Sequence, residues 1–306
     1  MTTVYVGLSG GVDSSVAAAL LKQQGYQVVG VYMKNWTQDV AGVACPWALD
    51  LADARAAAAL LDIPFKVFDF QLAYRERVVQ VMVDEYAAGR TPNPDVTCNQ
   101  EIKFKLFLAT ALADGADLIA TGHYAQTEGG QLLAAVDTAK DQTYFLYRVA
   151  ASALERTIFP VGHLTKSEVR RLAGEFGLPT AKKPDSQGIC FVGEVGLREF
   201  LRPHVAAVPG PIILARTGEE LGRHQGAVYY TVGQRHGLGI GGGRPYYVVG
   251  TDVVEGIVSV TDDPADLRLS THQLELGQLH WLAGAPVPGR LYAARVRHRG
   301  ELLPAR

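Results

Sequence analysis

An apolar run, Val4-Tyr5-Val6-Gly7-Leu8, passes into Ser9-Gly10-Gly11-Val12-Asp13-Ser14-Ser15 and then into an apolar-periodic stretch from Val16 to Leu21. A strand, a glycine turn and a helix start in that order place the chain among α/β folds. Adjacent glycines let the backbone approach a ligand without Cβ clashes, and the unpaired N–H groups and positive dipole end of a helix favour a phosphate. The loop reads as a phosphate cradle formed by Gly7, Leu8, Ser9, Gly10, Gly11, Val12, Asp13 and Ser14.

The usual nucleotide loop, GxxxxGK(S/T), carries a lysine that reaches the terminal phosphates; here Asp13 and Ser14 stand in its place. A carboxylate beside phosphates implies a divalent cation between them, so Asp13 is a candidate Mg²⁺ contact. The plain alternative is a glycine turn in which Asp13 or Ser14 caps the helix. The whole string SGGVDSS is more specific. It resembles the pyrophosphatase loop of enzymes that split ATP between the α and β phosphates and adenylate a substrate oxygen.

A chain of 306 residues is long for one domain and predicts two or three. Every apolar run is broken well short of the roughly 18 to 20 residues that a spanning helix needs. The first strand begins almost at Met1, which predicts no signal or transit peptide and a cytoplasmic protein without membrane partners. A net charge of −2 neither favours nor excludes nucleic acid, because a local patch suffices. Near the end of the chain stand Arg290, Arg295, Arg297, Arg299 and Arg306, with Glu301 the one acid among them. Arginines at 295, 297 and 299 would share one face of a strand, as a solvated surface or as a phosphate-binding one.

Strands and helices alternate up to about residue 120. Val28–Met33 and Phe65–Phe70 read as buried strands, Pro46–Leu61, Leu72–Ala88 and Glu101–Ala113 as helices, and Asp117–Ala120 as a strand ending at Thr121-Gly122-His123-Tyr124. This predicts a Rossmann-like parallel sheet with ligand at the carboxyl ends of its strands, where Ser9, Met33 and Gly122 would lie on one rim. Helical pattern continues through Lys166–Phe176 and Val195–Leu201. From Val208 short strands and glycine–proline turns take over. One or two small β domains are expected after the catalytic one; the division that resemblance to a known family implies is residues 1–205 for an ATP-binding catalytic domain, 206–266 for a small central β domain, and 267–306 for part of a C-terminal β barrel.

Two of the three cysteines read as loop residues. Cys98 follows Thr91-Pro92-Asn93-Pro94-Asp95-Val96-Thr97 ahead of the helix at Glu101, and Cys190 follows Pro184-Asp185-Ser186-Gln187-Gly188-Ile189. A cytosolic pair on loops points to catalytic or redox chemistry, against the alternative of small buried hydrophobes. A helix N-terminus at Cys98, and Lys182 and Lys183 before Cys190, would lower a thiol pKa from about 8.5. Cys45, before Pro46 and Trp47, reads as structural, and three scattered cysteines make a poor zinc set.

SGGVDSS, TPNPDVTCNQEIKF from Thr91, ATGHY from Ala120, KDQTYFLY from Lys140, TAKKPDSQGICFVG from Thr180 and TVGQRHGLGIGG from Thr231 together resemble the tRNA-specific 2-thiouridylases. The resemblance implies ATP bound by Gly7 to Ser14 with Met33 and Gly122, and Mg²⁺ with it. It implies Asn93, Pro94 and Asp95 at the target uracil, Cys98 as nucleophile, Asp95 as acid/base, and Cys190 as persulfide carrier. His123, Lys140, Asp141, Gln142, Arg297 and His298 would meet tRNA. A protein that donates persulfide sulfur, a cysteine desulfurase or a relay protein, is the second partner implied.

The carbon-2 carbonyl of uracil has no leaving group, so such a reaction first places AMP on its oxygen; a persulfide then delivers sulfur and a second thiol releases it. An unpaired anticodon base reaches such a site more cheaply than a duplex base. The family pattern continues into further strands of the C-terminal barrel, whereas this sequence stops at Pro304-Ala305-Arg306, so closing strands are expected to be missing. The competing classes are another ligase with the same ATP loop and a non-catalytic RNA-binding or sulfur-relay protein. The two cysteines count against the former, and the intact loop against the latter.

Overall fold

The computed structural model describes all residues except Ala41, 186–195 and Gly242. Cys190 therefore lies outside the described residues. Five strands build the main sheet: β1 (Thr3–Gly7), β2 (Gln27–Lys34), β3 (Phe65–Asp69), β4 (Leu118–Ala120) and, past the hairpin of β5 (Gln126–Glu128) and β6 (Gln131–Leu133), β7 (Thr157–Ile158). All are parallel, in the order β3-β2-β1-β4-β7. The chain leaves β1 toward one edge and returns to β1's other side as β4. The strand order therefore reverses between β1 and β4, where such sheets open a crevice at their carboxyl ends.

The period of two along β1 sends Val4 and Val6 to one face and Tyr5 to the other. On the first face they meet α1 (Val12–Gln23) and α2 (Trp47–Leu60) through Ala18, Leu21, Ala54 and Ala58. On the second lie two long helices, each with a π-helical middle. One runs from α3 (Gln71–Tyr74) through Arg75–Val79 into α4 (Gln80–Ala87); the other runs from α5 (Pro94–Cys98) through Asn99–Phe107 into α6 (Leu108–Ala113). Tyr74, Met82, Ile102 and Phe107 fill that side of the core. After α7 (Ala151–Leu154), α8 (Lys166–Glu175) packs on α1 through Val169 and Ala173.

Two elements of the first domain differ from expectation. β3 is an edge strand, half-exposed along its length, because among the described residues no strand covers its outer side; it is not buried. The segment before Glu101 is helix rather than loop. Asn93 accepts hydrogen bonds from the backbone N–H of Asp95 (3.1 Å) and Val96 (3.4 Å), and Pro94 occupies the first helical position, so the helix starts seven residues before Glu101.

Beyond α9 (Leu197–Leu201), a second sheet of order β10-β11-β8-β9 comprises β8 (Gly210–Leu214), β9 (Glu220–His224), β10 (Tyr247–Asp252) and β11 (Ile257–Thr261). It closes over Ile212, Val248, Val258 and Val260. An antiparallel pair, β12 (Tyr292–Ala294) and β13 (Leu303–Ala305), follows. Arg295, Arg297 and Arg299 do not share a strand face. β12 ends at Ala294, and the chain turns with Arg299 at φ +60° and the Gly300 N–H donating to the Arg297 carbonyl at 2.9 Å.

Candidate active site at the carboxyl ends of the strands

The loop after β1 is built by close backbone approach. Gly10 has φ +77°, and a Cβ there would stand 2.3 Å from the Asp50 carbonyl oxygen. At the end of β4, a Cβ on Gly122 would stand 2.6 Å from the Ser14 backbone nitrogen, so β4 closes directly on the first turn of α1. Only glycine fits at either point. Met33 lies beside Gly7, where an added Cβ would meet its Cε at 2.9 Å, which puts Ser9, Met33 and Gly122 on one rim. Leu8 and Val12 are core residues and present only backbone to the loop.

Serines shape the loop from inside. Buried Ser14 accepts from the Ser9 N–H at 3.2 Å and donates to the Gly11 carbonyl at 3.2 Å, and Ser15 donates to the same carbonyl at 2.9 Å. No side chain caps α1: its N-cap is Gly11. Its first amides thus remain available to an anion, which fits ATP phosphates.

Asp13 is not capping the helix. Its carboxylate accepts from Lys166 Nζ at 2.7 and 2.9 Å and from the Tyr124 hydroxyl at 2.9 Å. Burial and the Asp13 charge push the Tyr124 phenol up, so it remains a donor. Lys166 also pairs with Asp185 at 2.8 Å, and Asp185 takes Lys140 (2.8 Å) and Arg170 (2.5 Å) as well. Burial alone would raise the Asp185 carboxyl, but hydrogen bonds from Lys140 and Lys166 outweigh it and hold the group far below the carboxylate range. Among the described residues no group of three or more His, Cys, Asp or Glu could hold a metal. A Mg²⁺ here would therefore be carried mainly by phosphate oxygens, with Asp13 as its loop carboxylate.

Lys166 is the residue that reading the sequence missed. The loop lacks a lysine of its own, and the first residue of α8 supplies one from 153 positions away. The signal was present in Thr165-Lys166-Ser167-Glu168, a capping box that fixes where α8 begins. Lys183, expected to favour a Cys190 thiolate, instead pairs with Asp50 (2.8 Å) and Asp53 (2.6 Å) of α2.

The second cluster lies on α5. Cys98 is buried and Asp95 half-buried; burial pushes the Asp95 carboxyl up, against the pull of the Lys103 ammonium. Because the Asn93 side chain takes the amides of Asp95 and Val96, the helix start offers Cys98 less free dipole than its placement near an N-terminus suggests. His123 follows Gly122 and points the other way. Its Nδ1 lies 2.7 Å from Thr121 Oγ1 and its Nε2 3.4 Å from Lys103 Nζ, with Phe104 and Phe159 against the ring. Burial, then the Lys103 charge, hold its pKa well below the usual value, so the imidazole is neutral.

The residues expected to meet tRNA divide by exposure. Asp141 is buried, accepting from Ala135 N (2.7 Å) and the Thr143 hydroxyl (2.5 Å), and Gln142 Oε1 accepts from Tyr124 N at 2.9 Å. These bonds hold the Lys140 turn in shape. Lys140, Asp141, Arg295, His298 and Arg299 line a cleft of about 450 Å³. His298 is seated on Phe145, with ring centroids 4.6 Å apart, and Arg297 turns away to the Val232 carbonyl at 3.3 Å. Cys45 donates weakly to the Trp36 carbonyl at 3.8 Å, away from both clusters.

A parallel sheet whose switch point carries a glycine cradle, an uncapped helix and a lysine brought in from elsewhere defines a PP-loop nucleotide-binding domain. Residues 2–194 match the family model described as tRNA methyl transferase HUP domain, and residues 198–262 match the tRNA methyl transferase PRC-barrel domain. The chain is 52% identical over 309 residues to the tRNA-specific 2-thiouridylase MnmA of Nitrosomonas eutropha, covering 97% of this chain and 84% of that one. It is 49% identical over 306 residues to the protein of the same name from Methylobacillus flagellatus, covering 97% and 85%. A solved 4-thiouridine synthetase–RNA complex with bound ATP aligns at 15% identity and TM-score 0.38 over 67% of this chain and 50% of that one, too distant to bear on function.

The chain belongs to the tRNA-specific 2-thiouridylase family. It is accordingly a tRNA-thiolating transferase with a PP-loop ATP-binding domain, and the methyl transferase label of the family models is at odds with what the curated relatives are called. Among the described residues no helix is long and apolar enough to cross a membrane.

Proposed function

We propose that this enzyme adenylates oxygen 2 of the wobble uridine of lysine, glutamate and glutamine tRNAs with ATP and then replaces that oxygen with persulfide sulfur. Gly7 to Ser14, Met33 and Gly122 bind ATP, Asn93, Pro94 and Asp95 receive the base, and His123, Lys140, Asp141, Gln142, Arg297 and His298 form or frame the tRNA contacts. The observation that carries this reading is the end of β4. Gly122 closes on the phosphate loop while His123, the next residue, reaches the α5 cluster through Lys103, so the two clusters adjoin.

Asp95, whose carboxyl burial pushes up against the pull of the Lys103 ammonium, exchanges a proton with the base edge. The uridine oxygen attacks the α-phosphorus and pyrophosphate leaves, the amides at the start of α1 and Lys166 stabilising its charge. The terminal sulfur of a Cys190 persulfide attacks carbon 2, a C–S bond forms, and AMP departs with the C–O electron pair. Cys98 thiolate then attacks the inner sulfur; the S–S bond to the base sulfur breaks, its electron pair stays as thiocarbonyl, and a Cys98–Cys190 disulfide remains for a dithiol reductant. Mg²⁺ held at the loop with Asp13 as its protein carboxylate would neutralise charge on the phosphates. We place the domain divisions at 205/206 and 266/267, the protein in the cytoplasm, and a cysteine desulfurase or relay protein as its sulfur donor.

The test incubates the purified chain with ATP, Mg²⁺, a cysteine desulfurase with cysteine, and unmodified tRNA, and quantifies 2-thiouridine by nucleoside mass spectrometry. Thiouridine at the wobble position, with one AMP formed per thiolation, supports the reading. tRNA-dependent AMP formation without thiolation would make the chain a different ligase, and neither product would make it a non-catalytic binder.

A further inference from the structure

Lys103 stands out once the ion pairs are accounted for. Among the described residues, Lys140, Lys166 and Lys183 each meet a carboxylate within 2.9 Å, and exposed Lys105 meets Glu101 at 2.8 Å. Lys103 is half-buried and, among those residues, has no carboxylate within ion-pairing distance. Its ammonium instead lies 3.4 Å from His123 Nε2, and its charge opposes the upward shift of the Asp95 carboxyl.

His123 explains how an ammonium is kept there. A lysine ammonium has only donors, so Nε2 must accept from it; the ring proton then sits on Nδ1 and is donated to Thr121 Oγ1 at 2.7 Å. Phe104 and Phe159 hold the ring in place at 5.6 and 6.1 Å. The π-helical winding from Asn99 to Phe107 sets where Lys103 falls relative to Cys98 on the preceding turn and to Asp95 a further turn back. A lysine fastened by one neutral acceptor, with its other donors unclaimed by carboxylates, is arranged to meet a negative charge that arrives or develops.

We propose that Lys103 is a further catalytic residue of the thiolation site, stabilising the negative charge that forms on the base when sulfur adds to carbon 2, and that His123 is its positioning residue. This rests on the function proposed above. In that step the sulfur–carbon bond forms as the carbon 2–nitrogen 3 π pair moves onto nitrogen 3; the pair returns as AMP leaves with the C–O electrons. The charge is transient, so a preorganised cation accelerates the step without tightening ground-state binding.

The experiment compares wild type, Lys103→Met, Lys103→Arg, His123→Gln, the Lys103→Met/His123→Gln double variant and Lys105→Met in single-turnover thiolation, with tRNA affinity and melting temperature measured on each. Lys103→Met is expected to lower the thiolation rate about 100-fold, the cost of removing one such donor elsewhere, with tRNA Kd within twofold. Lys103→Arg should regain part of the loss, and Lys105→Met should match wild type. His123→Gln alone should be slower, yet add nothing in the double variant. A wild-type rate in Lys103→Met, a loss confined to tRNA affinity, or an equal loss in Lys105→Met would each overturn the proposal. If Lys103→Met melts early, Lys103→Arg and the double variant decide it through the same non-additivity. Failure of the wild-type enzyme to thiolate would instead remove the reading beneath it.

Discussion

The two helix starts at this site are built in opposite ways. α1 begins at Gly11 with no side chain over its amides, whereas α5 begins at Asn93 with its amides already taken by the Asn93 side chain. An uncapped start in a folded protein leaves donors that need a partner, and a phosphate is the partner that suits them. A capped start is finished without a ligand. Under the proposed function the difference divides the labour: α1 would take the anion, and α5 would be a fixed frame that presents Asp95 and Cys98.

The largest expected effect tests whether the frame and the anion site are separate. Cys98→Ser should reduce 2-thiouridine formation to background, while ATP Kd stays within twofold and pyrophosphate is still released with tRNA. Equilibrium ATP binding together with nucleoside mass spectrometry checks this, and a variant that also loses ATP would merge the two clusters into one.

The glycines of the open start come next. Gly10→Ala combines a left-handed backbone with a Cβ 2.3 Å from the Asp50 carbonyl, and Gly122→Ala places a Cβ 2.6 Å from Ser14 N. Strain and overpacking of this kind cost about 1–3 kcal/mol each, so ATP should bind about 10- to 100-fold more weakly, Gly10→Ala being the worse. Calorimetric titration with ATP measures it. Equal affinity in both variants would mean that the loop does not approach the nucleotide.

Much of this is legible in the sequence alone. The strand–glycine–helix order, the sheet and the rim of Ser9, Met33 and Gly122 follow from local pattern, because apolar period and glycine turns are decided within a few residues. What was not legible depends on distance along the chain. Lys166 reaches Asp13 across 153 residues, and no local rule predicts that pairing. The start of α5 was misread for a different reason: TPNP looks like a loop, yet Asn followed by Pro is also the way a helix begins. The arginines at 295, 297 and 299 were misread because alternation alone cannot distinguish a strand from a turn with one residue at positive φ.

Removing the borrowed lysine should have a middling effect. Lys166→Met leaves Asp13, among the described residues, with the Tyr124 hydroxyl as its remaining partner, in a region where both side chains are partly shielded from water. Loss of about tenfold in ATP affinity, roughly 1.4 kcal/mol, is expected. The pair of Asp13→Asn and Lys166→Met sharpens it: if Lys166 acts on phosphate directly, Asp13→Asn should weaken ATP less than Lys166→Met does. The reverse order would assign Asp13 the dominant role, through a bound Mg²⁺.

The smallest change opens the closed start. Asn93→Ala removes the acceptor from the Asp95 and Val96 amides and should cost about 1 kcal/mol of stability, the usual loss for a helix cap. Its melting temperature should fall by a few degrees, with ATP affinity unchanged because α1 is untouched. The freed amides would then resemble those of α1, but among the described residues α5 has no glycine cradle and no imported lysine beside Asn93, so no phosphate should bind there. Thiolation should slow more than the stability loss explains if Asn93 also receives the uracil. Asn93→Asp separates the two contributions: an aspartate caps as well as asparagine but offers a base no amide donor. A normal melting temperature with slow thiolation would therefore assign Asn93 to the base as well as to the helix.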